Sequence, residues 1–218
     1  MNNLREKILK ETKAYYKELD NKDFSHNFDH VLRVENMALR IGKSEGADFE
    51  ILEAASLLFD VARGLEDKGA VEDHANEGSK IARRILNKIG FPADKIENVC
   101  HAVLTHRKSK GRKAKTLEAK VLQDADYLDA LGAIAVIRTA ASSIQSNKYK
   151  RPIYVNKTYS NNKDSTVSAI HYLIYMVKHP KLQPKNFHTA LGRKLAKERH
   201  LFLKEFAQRF IDEWEGKR

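Results

Sequence analysis

The feature that most limits what this chain can become is an acidic side chain set in an apolar helical stripe. Leu117, Val121, Leu128, Leu131 and Ala135 recur at helical steps, which predicts a helix with one oily face. Asp124 lies in the middle of that face. A carboxylate buried there is costly unless it is protonated, paired with a cation or bound to metal. The helix therefore demands a partner from elsewhere in the chain.

The same period runs through most of the 218 residues. Residues 4–19 read as a helix with Leu4, Ile8, Tyr15 and Leu19 on one side, followed by a polar break that contains His26. From Asp29, the residues His30, Val34, Met37 and Ile41 share a stripe that ends near Gly42. Asp48 is placed to cap a helix carrying Ile51, Ala55, Leu58 and Ala62, with Asp60 embedded between Phe59 and Val61. After an expected loop over Gly64–Val71, Asp73 caps a helix that Gly90 stops, and His74, Gly78, Ile81 and Ile85 share its face. Ile96, Val99, Val103 and His106 form the next stripe.

Arg107–Lys115 then holds six basic residues in nine. Thr116 caps the Asp124 helix, which is expected to run to about Ala141, and Ser142–Asp164 reads as a long loop. Ser165 restarts a helix with His171 on its edge. The last helix, Thr189–Trp214, is expected to pack through Leu195, Phe202, Phe206 and Phe210. No segment of any length alternates at the strand period. The reading is one all-α domain.

Hydrophobic residues at 42% and charged residues at 32% describe an ordinary globular chain. No apolar run approaches the roughly 18–20 residues that span a bilayer, and the N-terminal residues lack the apolar core of a signal peptide. Cys100 is the only cysteine, so an internal disulfide is excluded and a cytoplasmic location is expected. The formal charge of +11 fits an anionic partner. The basic residues are spread along the chain, which favours a small phosphorylated molecule over nucleic acid.

Five residues with oxygen or nitrogen donors, His30, Asp60, His74, His106 and Asp124, fall on or at the ends of five apolar stripes. Each helix thus points its oddity into the same interior. Mixed imidazole and carboxylate donors suit a divalent ion of the Mn, Fe, Co or Zn class, with Mg as a further choice.

The chain resembles the HD-domain superfamily of metal-dependent phosphohydrolases over about residues 20–215. The matching pieces are Ser-His-Asn-Phe-Asp-His-Val-Leu-Arg-Val (25–34), Ala-Ser-Leu-Leu-Phe-Asp-Val-Ala-Arg (55–63), the helix starting at His74, Leu-Thr-His (104–106) and Leu-Gln-Asp-Ala-Asp-Tyr-Leu-Asp-Ala-Leu-Gly (122–132). The resemblance implies a single-domain HD-type helical bundle, with its core over about 24–142 and C-terminal helices over about 165–215 packed on it. It implies a divalent ion (Mn, Mg, Fe or Co) on His30, Asp60 and Asp124, and catalytic or substrate-handling roles for Asp60, His74 and His106. Arg33, Lys108 and Lys110 are the candidates for drawing in an anionic substrate, a small phosphorylated molecule such as a nucleotide.

The pair that names the superfamily, His-Asp, is Phe59-Asp60 here, and Tyr127 stands where such relatives commonly carry arginine. A phenyl ring cannot coordinate a metal. His26, His74 and His106 are the residues that could supply the missing donor. The competing reading is a catalytically impaired nucleotide- or phosphate-binding protein that lost a metal ligand at position 59.

Overall fold

Local capping chemistry sets most of the helix boundaries. In the computed structural model, which describes residues 2–17, 27–147 and 149–218, ten α-helices are joined by loops and short 3-10 turns, with no strand among the described residues. They are α1 (Asn2–Lys17), α2 (Phe28–Glu45), α3 (Phe49–Leu58), α4 (Arg63–Asp67), α5 (His74–Ile89), α6 (Ala93–Thr105), α7 (Leu117–Asp129), α8 (Ala133–Gln145), α9 (Ala169–Lys178) and α10 (Ala190–Trp214). His26 lies outside the described residues.

The side chains of Asp48, Asp73 and Thr189 accept hydrogen bonds from the first backbone N–H groups of α3, α5 and α10. Thr116 does the same for α7. Each satisfies a donor that has no partner inside its helix. Gly90 ends α5 in the left-handed region, at φ 71°.

Four expectations differ from the fold. The segment read as a loop after Gly64 contains the short helix α4. The Asp124 helix stops at Asp129 instead of reaching Ala141, and a second helix begins at Ala133. Gly132 takes a backbone conformation that favours glycine, and Arg199 of α10 donates to the Leu128 carbonyl at 2.6 Å. Gly132, at φ 77°, lies so close to it that a Cβ would sit 3.0 Å from the Arg199 side chain. His171, expected on the edge of α9, is buried. The packing face of α10 is built on Leu195, Ala196, Leu203 and Ala207, while Phe202 is 44% exposed.

The chain divides into two compact units, one reaching to Asp126 and the other running from Tyr127 to Arg218. In the first, α3 packs on α2 and α6, α5 packs on α6, and α1 lies on α3 and α5. Val34, Ile41, Leu52, Leu58, Val103 and Leu122 are fully buried there, and each such side chain contributes roughly 1.5–3 kcal/mol by leaving water. The start of α7 is tied into this unit through Glu118, which accepts from the Asp48 backbone at 3.0 Å and from Asn98 at 2.8 Å. Gln123 adds a bond to the Thr105 carbonyl at 2.5 Å. In the second unit α9 packs against α8 and α10. No single helix among the described residues is long and apolar enough to cross a membrane.

Candidate active site

Asp60 sits just past the end of α3, in the turn leading to α4, and is buried. Its Oδ1 lies 3.1 Å from His74 Nε2 and 3.7 Å from His106 Nε2, and the two imidazole nitrogens are 3.2 Å apart. Donor atoms from these three residues all fall within 4.8 Å of one another. His74 opens α5 and His106 closes α6, so two helix ends and a turn converge on one point.

The other face of each ring decides what that point can hold. His74 Nδ1 is 2.8 Å from Glu66 Oε2. The same oxygen accepts the His74 backbone N–H, and Arg107 donates to it at 2.8 Å. An ionised carboxylate only accepts, so a ring proton on Nδ1 bonds Glu66; in that neutral tautomer Nε2 turns a lone pair toward Asp60, and in the protonated ring Nε2 donates to Asp60. His106 Nδ1 is 2.7 Å from the Val103 carbonyl, which fixes that ring in the same tautomer. With both rings neutral, two imidazole lone pairs and a carboxylate oxygen face one another in a buried space. Three acceptors at such distances require a cation among them, and a proton or a divalent ion answers that demand.

The protonation of the group supports this picture. Burial pushes the Asp60 carboxyl up, but the His74 hydrogen bond and the charges of His74, His106 and Arg63 outweigh it and hold it well below the usual carboxylate range. Burial pulls the His106 ring below its ordinary value, against the opposing pull of Asp60. The first shift keeps Asp60 a carboxylate and the second favours a neutral His106 ring, the forms of those two residues that ligate metal. The donor set thus fits a divalent ion. Glu66 and Val103 provide the outer hydrogen bonds that metal-binding histidines characteristically make.

His30 stands at the edge of this group. Its Nε2 is 3.8 Å from Asp60 Oδ2 and 3.5 Å from Asp126 Oδ1. Phe59 is 1% exposed, and its ring packs edge-on against both His30 and His106, with centroids 5.6 and 5.2 Å away. An apolar ring thus occupies the space beside both imidazoles. Asp124 has no exposed side-chain surface, and Lys108 Nζ lies 3.6 Å from its Oδ1. Donor atoms of Asp60, His74 and His106 converge, and His30 lies 3.8 Å from the same carboxylate.

The HD domain family matches residues 27–131, the interval that contains every residue named above. The chain carries an HD domain. Among solved structures, it is 29% identical to a predicted HD-superfamily hydrolase from an uncultured Thermotogales bacterium, with a TM-score of 0.68 over 96% of this chain and 92% of that one. An HD-superfamily hydrolase from Bacillus thuringiensis is 26% identical, with a TM-score of 0.69 over 96% and 97%. The Bacillus subtilis protein YpgQ, itself uncharacterised, is 26% identical over 87% of this chain and 85% of its own length. A crystal structure of YpgQ in complex with ADP superposes with a TM-score of 0.66 at 25% identity, over 98% of this chain and 96% of that one.

The remaining candidates of the HD domain are dispersed. Arg33 is half-buried on α2, one turn beyond His30. Lys110 is exposed and lines a shallow groove with Asp73, Asn76 and Glu77. The basic loop is partly consumed by structure: Arg107 binds Glu66 and Asp73, and Arg112 binds Asp73 at 2.6 Å. Sequence reasoning passed over Glu66 and Asp126. Asp126 was findable, since it stands two residues after Asp124 in a motif already singled out. Glu66 lay in a stretch read as an unremarkable loop, and nothing in its local pattern marks it.

Proposed function

We propose that this chain is a metal-dependent phosphohydrolase whose substrate is a small phosphorylated molecule, a nucleotide in particular. One observation carries the reading: the Asp60 carboxylate and the two histidine lone pairs, each imidazole fixed by an outer partner, converge on one buried point within an HD domain. The complex of YpgQ with ADP supports the nucleotide class. Two imidazoles and one carboxylate favour Mn, Fe or Co over Mg.

A divalent ion held by Asp60, His74 and His106 supplies Lewis acidity toward a phosphoryl oxygen and a water acidified toward neutrality. The chain's own groups do the rest. Asp60, with its proton affinity held low, serves as an anionic ligand and orienting acceptor and is a poor base. Glu66 and Val103 hold the two imidazoles in the ligating tautomer. Arg33 and Lys110 bring positive charge to an anionic substrate.

The test is hydrolysis by chelator-stripped protein reloaded with Mn(II), Co(II), Fe(II) or Mg(II), against nucleoside mono-, di- and triphosphates. Turnover is expected with at least one ion and should fall at least about 100-fold in Asp60→Asn. A second reading, a nucleotide-binding protein without turnover, draws on the buried Phe59 ring beside His30 and His106. Calorimetric nucleotide binding with no hydrolysis under any ion would establish it over the first. Phe59→His separates the two further, because a crippled centre gains cation affinity from the added donor.

A further inference from the structure

More than half of the formal charge of +11 comes from one stretch. Residues 149–188, all in the second unit, carry seven basic residues against one acid, Asp164, together with five of the eight tyrosines. That acid does not offset the charge at the surface. Asp164 is 4% exposed and is held by Lys157 Nζ, by the Ser160 backbone and hydroxyl and by the Asn161 backbone. What the stretch shows to solvent is therefore cationic, with Lys150, Lys163, Lys178, Lys181 and Lys185 exposed.

Helical spacing sorts the aromatic rings. Tyr172, Tyr175 and His179 stand at steps of three and four, so α9 and the residue that caps its C-terminus carry them on one face. Their rings form a row, with successive centroids 5.9 and 5.2 Å apart, and none of the three is fully buried. Cations frame that row. The Arg151 guanidinium lies over the Tyr172 ring at 4.6 Å, and the Lys178 ammonium lies over the Tyr159 ring at 4.4 Å, both within cation–π reach. At the other end the Lys181 backbone N–H donates to His179 Nδ1 at 3.1 Å. Flat rings in a row between positive charges, with no exposed acid in the stretch, match one ligand chemistry: unpaired bases joined by phosphates. A duplex hides its base faces, and a lone anion has no use for a row of rings.

We propose that this face of α9 binds single-stranded nucleic acid, with bases stacking on Tyr172, Tyr175 and His179 and phosphates meeting Arg151, Lys178 and Lys181. The metal centre at Asp60, His74 and His106 plays no part in this, so the two readings stand or fall separately.

The experiment follows the fluorescence anisotropy of a labelled oligothymidine of about 16 nucleotides titrated with full-length protein. A duplex of the same length, ADP and phosphatidylserine vesicles are the competitors. Wild type is expected to prefer the single strand, with a log–log salt slope of about −2 for three phosphate contacts at about −0.7 each. Tyr175→Ala should bind about tenfold more weakly with the slope kept, and Tyr175→Phe should bind like wild type. The double variant Lys178→Gln, Lys181→Gln should lose most of the salt dependence.

No binding at low salt, or equal affinity for the duplex, overturns the proposal. So does wild-type affinity in Tyr175→Ala, which would reduce the surface to unspecific charge. Should Tyr175→Ala not fold, Tyr175→Leu, which keeps apolar bulk without a flat ring, carries the same criterion. Displacement of the strand by equimolar ADP overturns the proposal in favour of a mononucleotide site. Vesicle binding that the same variants weaken overturns it in favour of an anionic lipid surface. Strand binding with no nucleotide hydrolysis under any ion supports the proposal and sinks only the hydrolase reading.

Discussion

Each unit of this protein buries histidine and aspartate together, and the two arrangements differ in one respect. In the second unit His171 is 1% exposed. Ser168 Oγ meets its Nδ1 at 2.7 Å, and the Lys157 carbonyl meets its Nε2 at 2.8 Å. Asp164 is likewise saturated, accepting from Lys157 Nζ, the Ser160 backbone and hydroxyl, and the Asn161 backbone. Each ring nitrogen and each carboxylate oxygen has a partner. In the first unit His74 and His106 each spend one nitrogen on an outer partner and turn the other toward a carboxylate that cannot donate. Burial alone therefore does not mark a functional histidine. A converging set of groups able to ligate a metal does.

Three measurements would break or sharpen that contrast. The largest effect is expected at Glu66. Removing it as Glu66→Ala frees the His74 ring and should weaken Mn(II) binding by about 10–100-fold, read by titration. Unchanged affinity would mean that the tautomer of His74 is set by something else. Next is His171→Ala, which leaves the Lys157 carbonyl without its partner, leaves Ser168 Oγ only the backbone N–H of residue 171, and opens a cavity. It should cost about 1–3 kcal/mol in denaturant unfolding and leave Mn(II) affinity untouched. A loss of metal binding there would dissolve the distinction between the two clusters.

The smallest effect concerns pH. The Lys157 ammonium and the Ser160 and Asn161 donors hold the Asp164 carboxyl well below its ordinary value. A carboxyl depressed in the folded state adds stability that is present above its unfolded pKa of about 3.9 and is lost as pH falls further. Asp164→Asn should therefore be less stable than wild type at neutral pH, with the gap closing below about pH 4. A gap that persists unchanged into acid would show that Asp164 acts through packing alone.

Much of the fold was legible because its signals are local. Asp48, Asp73, Thr116 and Thr189 bond to backbone groups two or three residues away, so a cap and its helix are visible in one short window of sequence. The polar anomalies at His30, Asp60, His74, His106 and Asp124 were visible for a related reason, since burial follows the helical period. The break before Gly132 carried a local sign in the glycine itself, but the apolar period continues across it to Ala135, and Arg199, which binds the Leu128 carbonyl there, is distant in the chain. The face of α10 was misjudged on size. Phe202, Phe206 and Phe210 suggested the core side, yet neighbouring helices approach over Ala196, Leu203 and Ala207. The aromatic rings stack along the flank, and Phe210 meets Tyr154 and Trp214. Close helix contact favours small side chains, which hydrophobicity alone does not rank first.

The sequence by itself determined an all-helical chain and the short roll of side chains that could not be buried without partners, because periodicity and capping act within a few residues. Only the tertiary structure decided the partners. It gave Glu66 to His74, Lys108 to Asp124 and Asp126 to His30, and it set Asp60 against the Nε2 atoms of His74 and His106. Those choices depend on which helix ends meet in space, and electrostatic pairing at 3 to 4 Å is set by that meeting and not by position along the chain.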